Sequence, residues 1–318
     1  MKIAVLDDYA GVALDLADWS GLGDVSVFRD TITDHDALVR RLVGFDAICV
    51  MRERTPMPAA LIRALPNLRL IVSTGPRNLS IDLEAARAAG APVCSTESRK
   101  TTTSELAMLM LMALNRRLMP EVAALHSSGW QAGLGRDLAG LTLGVIGLGN
   151  IGAQMVPRAR AFEMNVVAWS QNLSEARAAE MGVARMDSLP ALMAASDMSS
   201  VHLVLSERSR GLIGSQAFAA ARPGHVFVNT SRGPIVDTQA LLAGLRAGRP
   251  AMAGIDVFDT EPLPQDDPLR APDLIESGAL LLTPHLGYST RATFEVFYRQ
   301  TVEALRAWQA GQPIRVAT

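Results

Sequence analysis

Along the first hundred residues, short apolar runs alternate with segments whose apolar positions recur every three or four residues. Residues 2–8 (KIAVLDD), 25–30 (VSVFRD), 45–51 (FDAICVM), 68–74 (LRLIVST) and 91–95 (APVCS) have the length and composition of strands. Between them, 34–45 (DHDALVRRLVGF), 58–67 (PAALIRALPN) and 81–90 (IDLEAARAAG) carry helical spacing. Strands alternating with helices predict βα units around a parallel sheet. Residues 101–126 then form a long helical stretch, interrupted at Pro120 and apolar nearly all round in its middle, which predicts burial between layers. A polar, glycine-bearing loop follows at 127–140. The alternation restarts with strands at 142–147, 165–170, 199–205, 225–230, 251–258 and 279–285, a helix at 150–163, and a last amphipathic helix from about 289 to 310. Two α/β regions in series predict two domains with an interdomain cleft.

A chain of 318 residues with 49% apolar content has enough material for two cores. Its 30 Lys and Arg balance 32 Asp and Glu, which argues against nucleic acid or a membrane surface as partner. No stretch has the length of uncharged apolar sequence that a bilayer needs, and the N-terminus does not read as a secretory signal. Cys49 and Cys94 sit in apolar runs without metal-type spacing, so no metal is expected and a cytoplasmic location is.

Gly147-Leu148-Gly149-Asn150-Ile151-Gly152 is a G-x-G-x-x-G sequence that follows a strand and opens a helix. In that setting the first glycine permits the tight turn and the second lets backbone approach a pyrophosphate. The third lets helix and strand pack closely, with the helix N-terminus facing negative charge. The following strand ends at Ser170, where an NAD-selective site usually carries an acid. Serine removes the repulsion toward a 2′-phosphate, yet no arginine stands beside it in sequence, so NAD(H) and NADP(H) both remain open.

Reducing a ketone takes a proton donor for the oxygen and, for a keto acid, a cation for the carboxylate. Of five histidines, His35, His126, His202 and His225 read as structural or solvated. His285 instead ends an apolar strand, at the edge where open α/β sheets present ligands. Arg232 and Glu261 stand at two similar strand exits.

With these residues in view, the segments NTSRGPIVD (229–237), AGIDVFDTEPLP (253–264) and LLTPHLGY (281–288), together with the glycine loop, make the chain similar to the D-isomer-specific 2-hydroxyacid dehydrogenases. That family includes phosphoglycerate dehydrogenases and glyoxylate/hydroxypyruvate reductases. The resemblance spans nearly the whole chain. It implies an NAD(P)-dependent oxidoreductase interconverting a small D-2-hydroxy acid and its 2-keto acid. Arg232 would bind the substrate carboxylate and polarise its carbonyl. His285 would be the acid/base, and Glu261 would raise its pKa and hold it protonated. Asp256 would hold the nicotinamide carboxamide, and Leu203, Thr230, Ser231 and Gly287 would line the cofactor site. The implied architecture is α/β with two Rossmann-like domains on parallel sheets: a flavodoxin-like substrate domain (1–99 plus 289–318) and a dinucleotide-binding domain (100–288). A homodimer is expected from the same resemblance.

The chain departs from that pattern at Thr74-Gly75-Pro76-Arg77-Asn78, where many relatives read G-x-G. Pro76 removes one backbone donor. Either Arg77 or Asn78 reaches the far end of the substrate, or Arg77 merely reshapes a surface loop. Arg52 and Arg54 would favour a substrate with a second polar or anionic group, unless Glu53 makes this an ordinary ion-paired loop. Two alternatives share the fold: a formate dehydrogenase-like enzyme, against which Glu261 argues, and a corepressor-like dinucleotide sensor with little turnover.

Overall fold

The computed structural model describes residues 1–317; residue 318, the end of the expected substrate domain, lies outside them. The chain divides into two compact units, Met1–Arg99 with Ser289–Thr318, and Lys100–Tyr288. Among the described residues, twelve strands form two all-parallel sheets of five and seven strands.

The first unit holds β1 (Lys2–Val5), β2 (Asp24–Val27), β3 (Ala47–Val50), β4 (Leu70–Ser73) and β5 (Val93–Ser95) in the order β2-β1-β3-β4-β5. This order reverses direction between β1 and β3, the topological switch point at which such sheets bind ligands. Strands β3 and β4 are buried along their whole length, as a sheet covered on both faces requires. Helices α1 (His35–Leu42), α2 (Ala59–Arg63) and α3 (Leu83–Ala88) connect the strands. Asp34 and Asp82 cap α1 and α3 by accepting from the amides of Ala37 and Ala85. The C-terminal helix Arg291–Gln309, capped by Thr290, packs on β4 and β5 with Phe297, Tyr298 and Leu305 buried. Cys49 and Cys94 are buried free thiols in β3 and β5.

The second unit opens with α4 (Thr102–Asn115) and α5 (Leu118–His126). The single stretch expected over 101–126 breaks at Arg116–Arg117, with Arg117 at φ 51°, and not at Pro120 itself. The reason is local. Proline cannot donate to the carbonyl four residues back and its ring clashes there, so the chain turns at that carbonyl and leaves Pro120 in the first turn of α5, where no donor is needed. Burial also divides at the break. Helix α4 buries Ala107, Met110, Leu111 and Leu114 against β10 and β11, whereas α5 has no buried residue.

After the loop come β6 (Thr142–Ile146), α6 (Asn150–Ala161), β7 (Asn165–Trp169), α7 (Glu175–Glu180), β8 (Ala184–Arg185), α8 (Leu189–Ala195) and β9 (Met198–Val201). The chain continues through α9 (Ser215–Ala219), β10 (Val226–Asn229), α10 (Thr238–Arg246), β11 (Met252–Ile255), α11 (Pro272–Glu276) and β12 (Leu280–Leu282). Strand order is β12-β11-β10-β9-β6-β7-β8, with its switch point between β9 and β6. Alternate residues serve two cores: Val226 and Val228 join Leu143 and Val145 on one face, Phe227 joins Ile146 and Val201 on the other. The strand expected over 199–205 ends at Val201, which turns His202 and Leu203 into exit residues beside the switch point. No described helix is long and apolar enough to cross a membrane.

Candidate functional site

The glycine loop joins β6 to α6 beside the switch point, and each glycine has a separate steric reason. Gly147 has φ +101°, and an added Cβ would lie 2.7 Å from the His202 carbonyl oxygen. At Gly152 a Cβ would lie 1.9 Å from the Gly147 carbonyl oxygen, a backbone atom that cannot swing aside. At Gly149 it would meet nothing within 4 Å. The first and third glycines therefore hold the turn and the helix contact, while the second leaves open space before the N-terminus of α6, where Asn150 and Ile151 begin the helix. A pyrophosphate fits this arrangement: it needs close backbone approach and free N–H groups at a helix start.

Two strand exits flank the loop. The Gly147 amide donates to the Trp169 carbonyl at 2.8 Å, which sets Ser170 beside the loop on the β7 side. The His202 amide donates to the Ile146 carbonyl at 2.7 Å on the β9 side, and Leu203 follows. His202 was read from sequence as structural or solvated; both its ring nitrogens are buried without a hydrogen-bond partner among the described residues, and burial pushes its pKa down to about 3. It is a neutral imidazole beside the cofactor loop. His225, by contrast, is a scaffold residue whose ring bridges the Ser199 hydroxyl (2.8 Å) and the Ser196 carbonyl (3.1 Å). Burial pushes its pKa to about 4.

Beyond β10, Asn229 shapes the next turn. Its side-chain amide donates to the Arg232 carbonyl at 2.9 Å, and its oxygen accepts from the Ser231 amide at 3.0 Å. The Ser231 hydroxyl donates to the Val201 carbonyl at 2.8 Å, tying this turn to β9, and Thr230 is buried. The Arg232 guanidinium donates to the Ser231 carbonyl at 2.8 Å. Next to it, a Cβ on Gly233 would fall 2.2 Å from the Phe258 carbonyl carbon, so the Arg232 turn lies directly against the segment after β11. That segment carries Glu261, whose Oε1 accepts from the Phe258 amide at 2.9 Å.

The other oxygen, Oε2, is 2.7 Å from Nδ1 of His285. A carboxylate only accepts, so Nδ1 carries the proton and Nε2 is the ring's other face for chemistry. Both side chains are about one-fifth exposed, at 20% and 18%. His285 has φ 53°, a left-handed conformation in which its amide donates to the Thr283 carbonyl. The Tyr288 ring meets it edge-on, with centroids 5.5 Å apart.

What holds this bend is Asp256. Its Oδ1 accepts from the Thr283 hydroxyl and the Leu286 amide, both at 2.6 Å, and its Oδ2 accepts from the Gly287 amide at 2.9 Å. The residue is fully buried, and burial raises its pKa against the opposing pull of those hydrogen bonds and of the His285 ring. The Gly287 carbonyl in turn accepts from Thr103 at 3.0 Å. Sequence reasoning singled out Asp256 but missed its partner Thr283, and Thr103, which holds the Gly287 carbonyl, as well as Asn229. The only signal in the chain was a polar residue at the end of each apolar run.

The remaining expected residues lie in the first unit, where the exits of β3 and β4 meet. The Arg52 amide (φ 53°) donates to the Thr74 hydroxyl at 2.9 Å. Gly75 has φ +85°, and its amide donates to Thr96 at 2.7 Å. A Cβ there would collide with the Arg52 guanidinium, so only glycine lets that cation lie over the loop. Asn78 is committed internally. Its amide nitrogen donates to the Arg52 carbonyl and to Ser73, and its oxygen accepts from Ser80. Of the two residues expected to reach the substrate or reshape the loop, Arg77 is exposed. Arg54 faces Asp7 at the β1 exit, a buried carboxylate held by the Thr31 and Thr55 hydroxyls. Burial raises the Asp7 pKa, while the hydroxyls and Arg54 oppose the rise. Among the described residues no group of three or more His, Cys, Asp or Glu is arranged to hold a metal.

Residues 108–287 match the family model "D-isomer specific 2-hydroxyacid dehydrogenase, NAD binding domain". The chain is 34% identical over 294 residues to a D-3-phosphoglycerate dehydrogenase of Archaeoglobus fulgidus, covering 92% of this chain and 54% of that one. It thus spans about half the length of the phosphoglycerate dehydrogenases it matches. A glyoxylate reductase of Korarchaeum cryptofilum is 31% identical over 293 residues, covering 90% of this chain and 83% of the relative. The crystal structure of a phosphoglycerate oxidoreductase from Vibrio cholerae superposes with a TM-score of 0.90 at 33% identity, covering 98% of this chain and 99% of that one. The chain belongs to the D-isomer specific 2-hydroxyacid dehydrogenase family.

Proposed function

We propose that this chain reduces small 2-keto acids to D-2-hydroxy acids, and oxidises them in reverse, with a nicotinamide dinucleotide as hydride carrier. The observation that carries the reading is the 2.7 Å His285–Glu261 pair, set at the strand exits of the same sheet that bears the glycine loop. In the reductive direction, a 2-keto acid, NAD(P)H and one proton give the 2-hydroxy acid and NAD(P)⁺. The bound nicotinamide supplies the hydride to the carbonyl carbon. His285 gives its Nε2 proton to the carbonyl oxygen, and Glu261, on Nδ1, stabilises the imidazolium that must be present beforehand. Arg232 holds the substrate carboxylate and draws charge toward the carbonyl oxygen.

Gly147, Gly149, Asn150, Ile151 and Gly152 would hold the pyrophosphate, and Ser170 the adenosine ribose. Leu203, Thr230, Ser231, Asp256 and Gly287 would form the nicotinamide side. Asp256 Oδ2 accepts one backbone hydrogen bond and keeps a lone pair for a carboxamide N–H. In the first unit, Arg52, Arg54, Thr74, Gly75 and Arg77 would read the substrate's polar groups, while Asn78 acts through the loop it holds. Two unpaired buried thiols suit a reducing compartment, and the cytoplasm is the place of action this reading gives.

The same reading takes the protein to be a homodimer. Leu118, Met119, Val122 and Leu125 of α5 are exposed, and the loop after it exposes Trp130 (77%) and Leu134 (94%). An apolar strip of this extent on one segment is what a second copy would cover. Sedimentation at micromolar concentration should give twice the mass of one chain; a monomer there would overturn the dimer.

The test of the activity is cofactor oxidation followed by absorbance, with NADH and NADPH each paired with glyoxylate, hydroxypyruvate, pyruvate, phenylpyruvate and 2-ketoglutarate. Turnover with at least one pair is expected. Tight dinucleotide binding with no turnover on any acid would contradict the reading.

A further inference from the structure

Ser170, Gln171 and Asn172 follow β7 beside the glycine loop, where the adenosine ribose of a bound dinucleotide belongs, and none of the three is acidic. Two carboxylates further along the chain share one cation. Glu175 and Asp187 each lie 3.0 Å from the Arg185 guanidinium. The three residues directly after β7 therefore place no carboxylate at the ribose position.

The fold adds a cation that sequence distance concealed. Residues 206–210, just beyond the β9 exit, make a tight turn fixed by the buried Ser209. Its hydroxyl accepts from the Ser206 amide and donates to the Val204 carbonyl, each at 2.8 Å. This turn folds onto the loop after β7. The Gln171 side-chain amide donates to the Arg208 carbonyl at 3.0 Å, and the Arg208 guanidinium donates to Asn172 Oδ1 at 3.3 Å. Arg208 is exposed, its side-chain partner is a neutral amide, and among the described residues no ion pair joins it to a carboxylate, the neighbouring Glu207 included. Guanidinium is planar and multidentate, which suits it to phosphate.

We propose that Ser170, Asn172 and Arg208 form a site for the 2′-phosphate of the adenosine ribose, so that this chain takes NADP(H) in preference to NAD(H). The proposal rests on the dinucleotide reading of the glycine loop. Ser170 supplies a hydroxyl, Asn172 keeps its Nδ2 amide free to donate while its oxygen braces Arg208, and Arg208 supplies the charge.

Binding of adenosine 2′,5′-bisphosphate and of 5′-AMP to the full chain, measured by calorimetry, tests the site without any turnover. The bisphosphate should bind about tenfold or more tighter than AMP, the gain expected of a charge-assisted phosphate contact. Arg208→Ala should remove most of that advantage and leave AMP affinity within about twofold, because AMP lacks the group the arginine reads. Raising the salt concentration should shrink the advantage, since the site is exposed. NADPH and NADH titrations followed by fluorescence should show the same ranking. Equal binding of the two nucleotides, or an advantage that survives Arg208→Ala, would overturn the 2′-phosphate site and leave the glycine-loop reading standing. Binding of neither nucleotide and neither dinucleotide would overturn both.

Discussion

Replacing Gly149 and Gly152 by alanine, one at a time, separates the two jobs of the glycine loop. At Gly152 the new Cβ would stand 1.9 Å from the Gly147 carbonyl oxygen. Real contacts of this kind stay beyond about 3 Å, so α6 or the loop must give by roughly 1 Å in a closely packed region. Overpacking of that kind costs about 1–3 kcal/mol, which in a unit of this size lowers Tm by several degrees, about 2–4 °C per kcal/mol. At Gly149 the Cβ meets nothing within 4 Å and φ is −83°, ordinary for alanine. Tm should then hold or rise slightly, because alanine restricts the unfolded chain by about 0.4–1 kcal/mol. The methyl nevertheless occupies space that a phosphate needs to reach the loop N–H groups. Losing one charge-assisted hydrogen bond, about 1.5–3 kcal/mol, raises the dinucleotide Kd about tenfold to a hundredfold. Thermal melts paired with fluorescence titration of NADH and NADPH read both quantities. Gly149→Ala should lose affinity at unchanged Tm, and Gly152→Ala should lose both. A Gly149→Ala protein that binds dinucleotide normally would refute the pyrophosphate cradle.

Three further outcomes are expected. His225 is fully buried, with its pKa pushed from 6.5 to about 4, so its contribution to stability is complete above pH 6.5 and is lost as pH falls toward the folded value; His202 acts in the same direction. Between pH 7 and 5 His225 alone should cost about 2 kcal/mol, seen as a lower urea midpoint, whereas an equal or higher midpoint at pH 5 would count against it. Asp7 and Asp256, raised by burial, oppose this loss, because the folded state takes up their protons first as pH falls toward the usual carboxylate range. Arg232→Ala should raise KM and lower kcat together, since the carboxylate is held before and during the reaction, and an unchanged KM would assign it to another cation. Glu261→Gln should lower kcat for reduction about tenfold or more and move the alkaline limb of the pH profile to lower pH, because the imidazolium loses its counter-charge; an unmoved limb would remove Glu261 from that role.

Much of this was legible in the chain because the physics behind it is local. Apolar runs such as AICVM and LIVS are too short for a buried helix and rich in β-branched residues, which reads as buried strand, and G-x-G-x-x-G between strand and helix has a short-range steric explanation. The helix break at Arg116–Arg117 was misplaced by a few residues, because the perturbing carbonyl lies one turn before the proline that causes it. The bend at His285 was invisible as a bend. Its left-handed backbone depends on Asp256 and Thr283, which only the pairing of β11 with β12 brings together. Arg208 is further from Ser170 in sequence than local patterning reaches, and the turn after β9 brings it onto the loop after β7. Asn78 shows what patterning leaves open: its side chain braces the β3 exit, the end of β4 and its own loop, through Arg52, Ser73 and Ser80.

The most direct test follows the hydride itself. Reduced cofactor carrying deuterium at both C4 positions of the nicotinamide, incubated with the best keto acid from the panel, should yield a D-2-hydroxy acid one mass unit heavier, with the label at C2. His285→Ala should abolish that labelled product while binding dinucleotide as tightly as the parent chain. Unlabelled product, no product from any keto acid, or undiminished labelling by the His285→Ala protein would contradict hydride transfer with His285 as the acid.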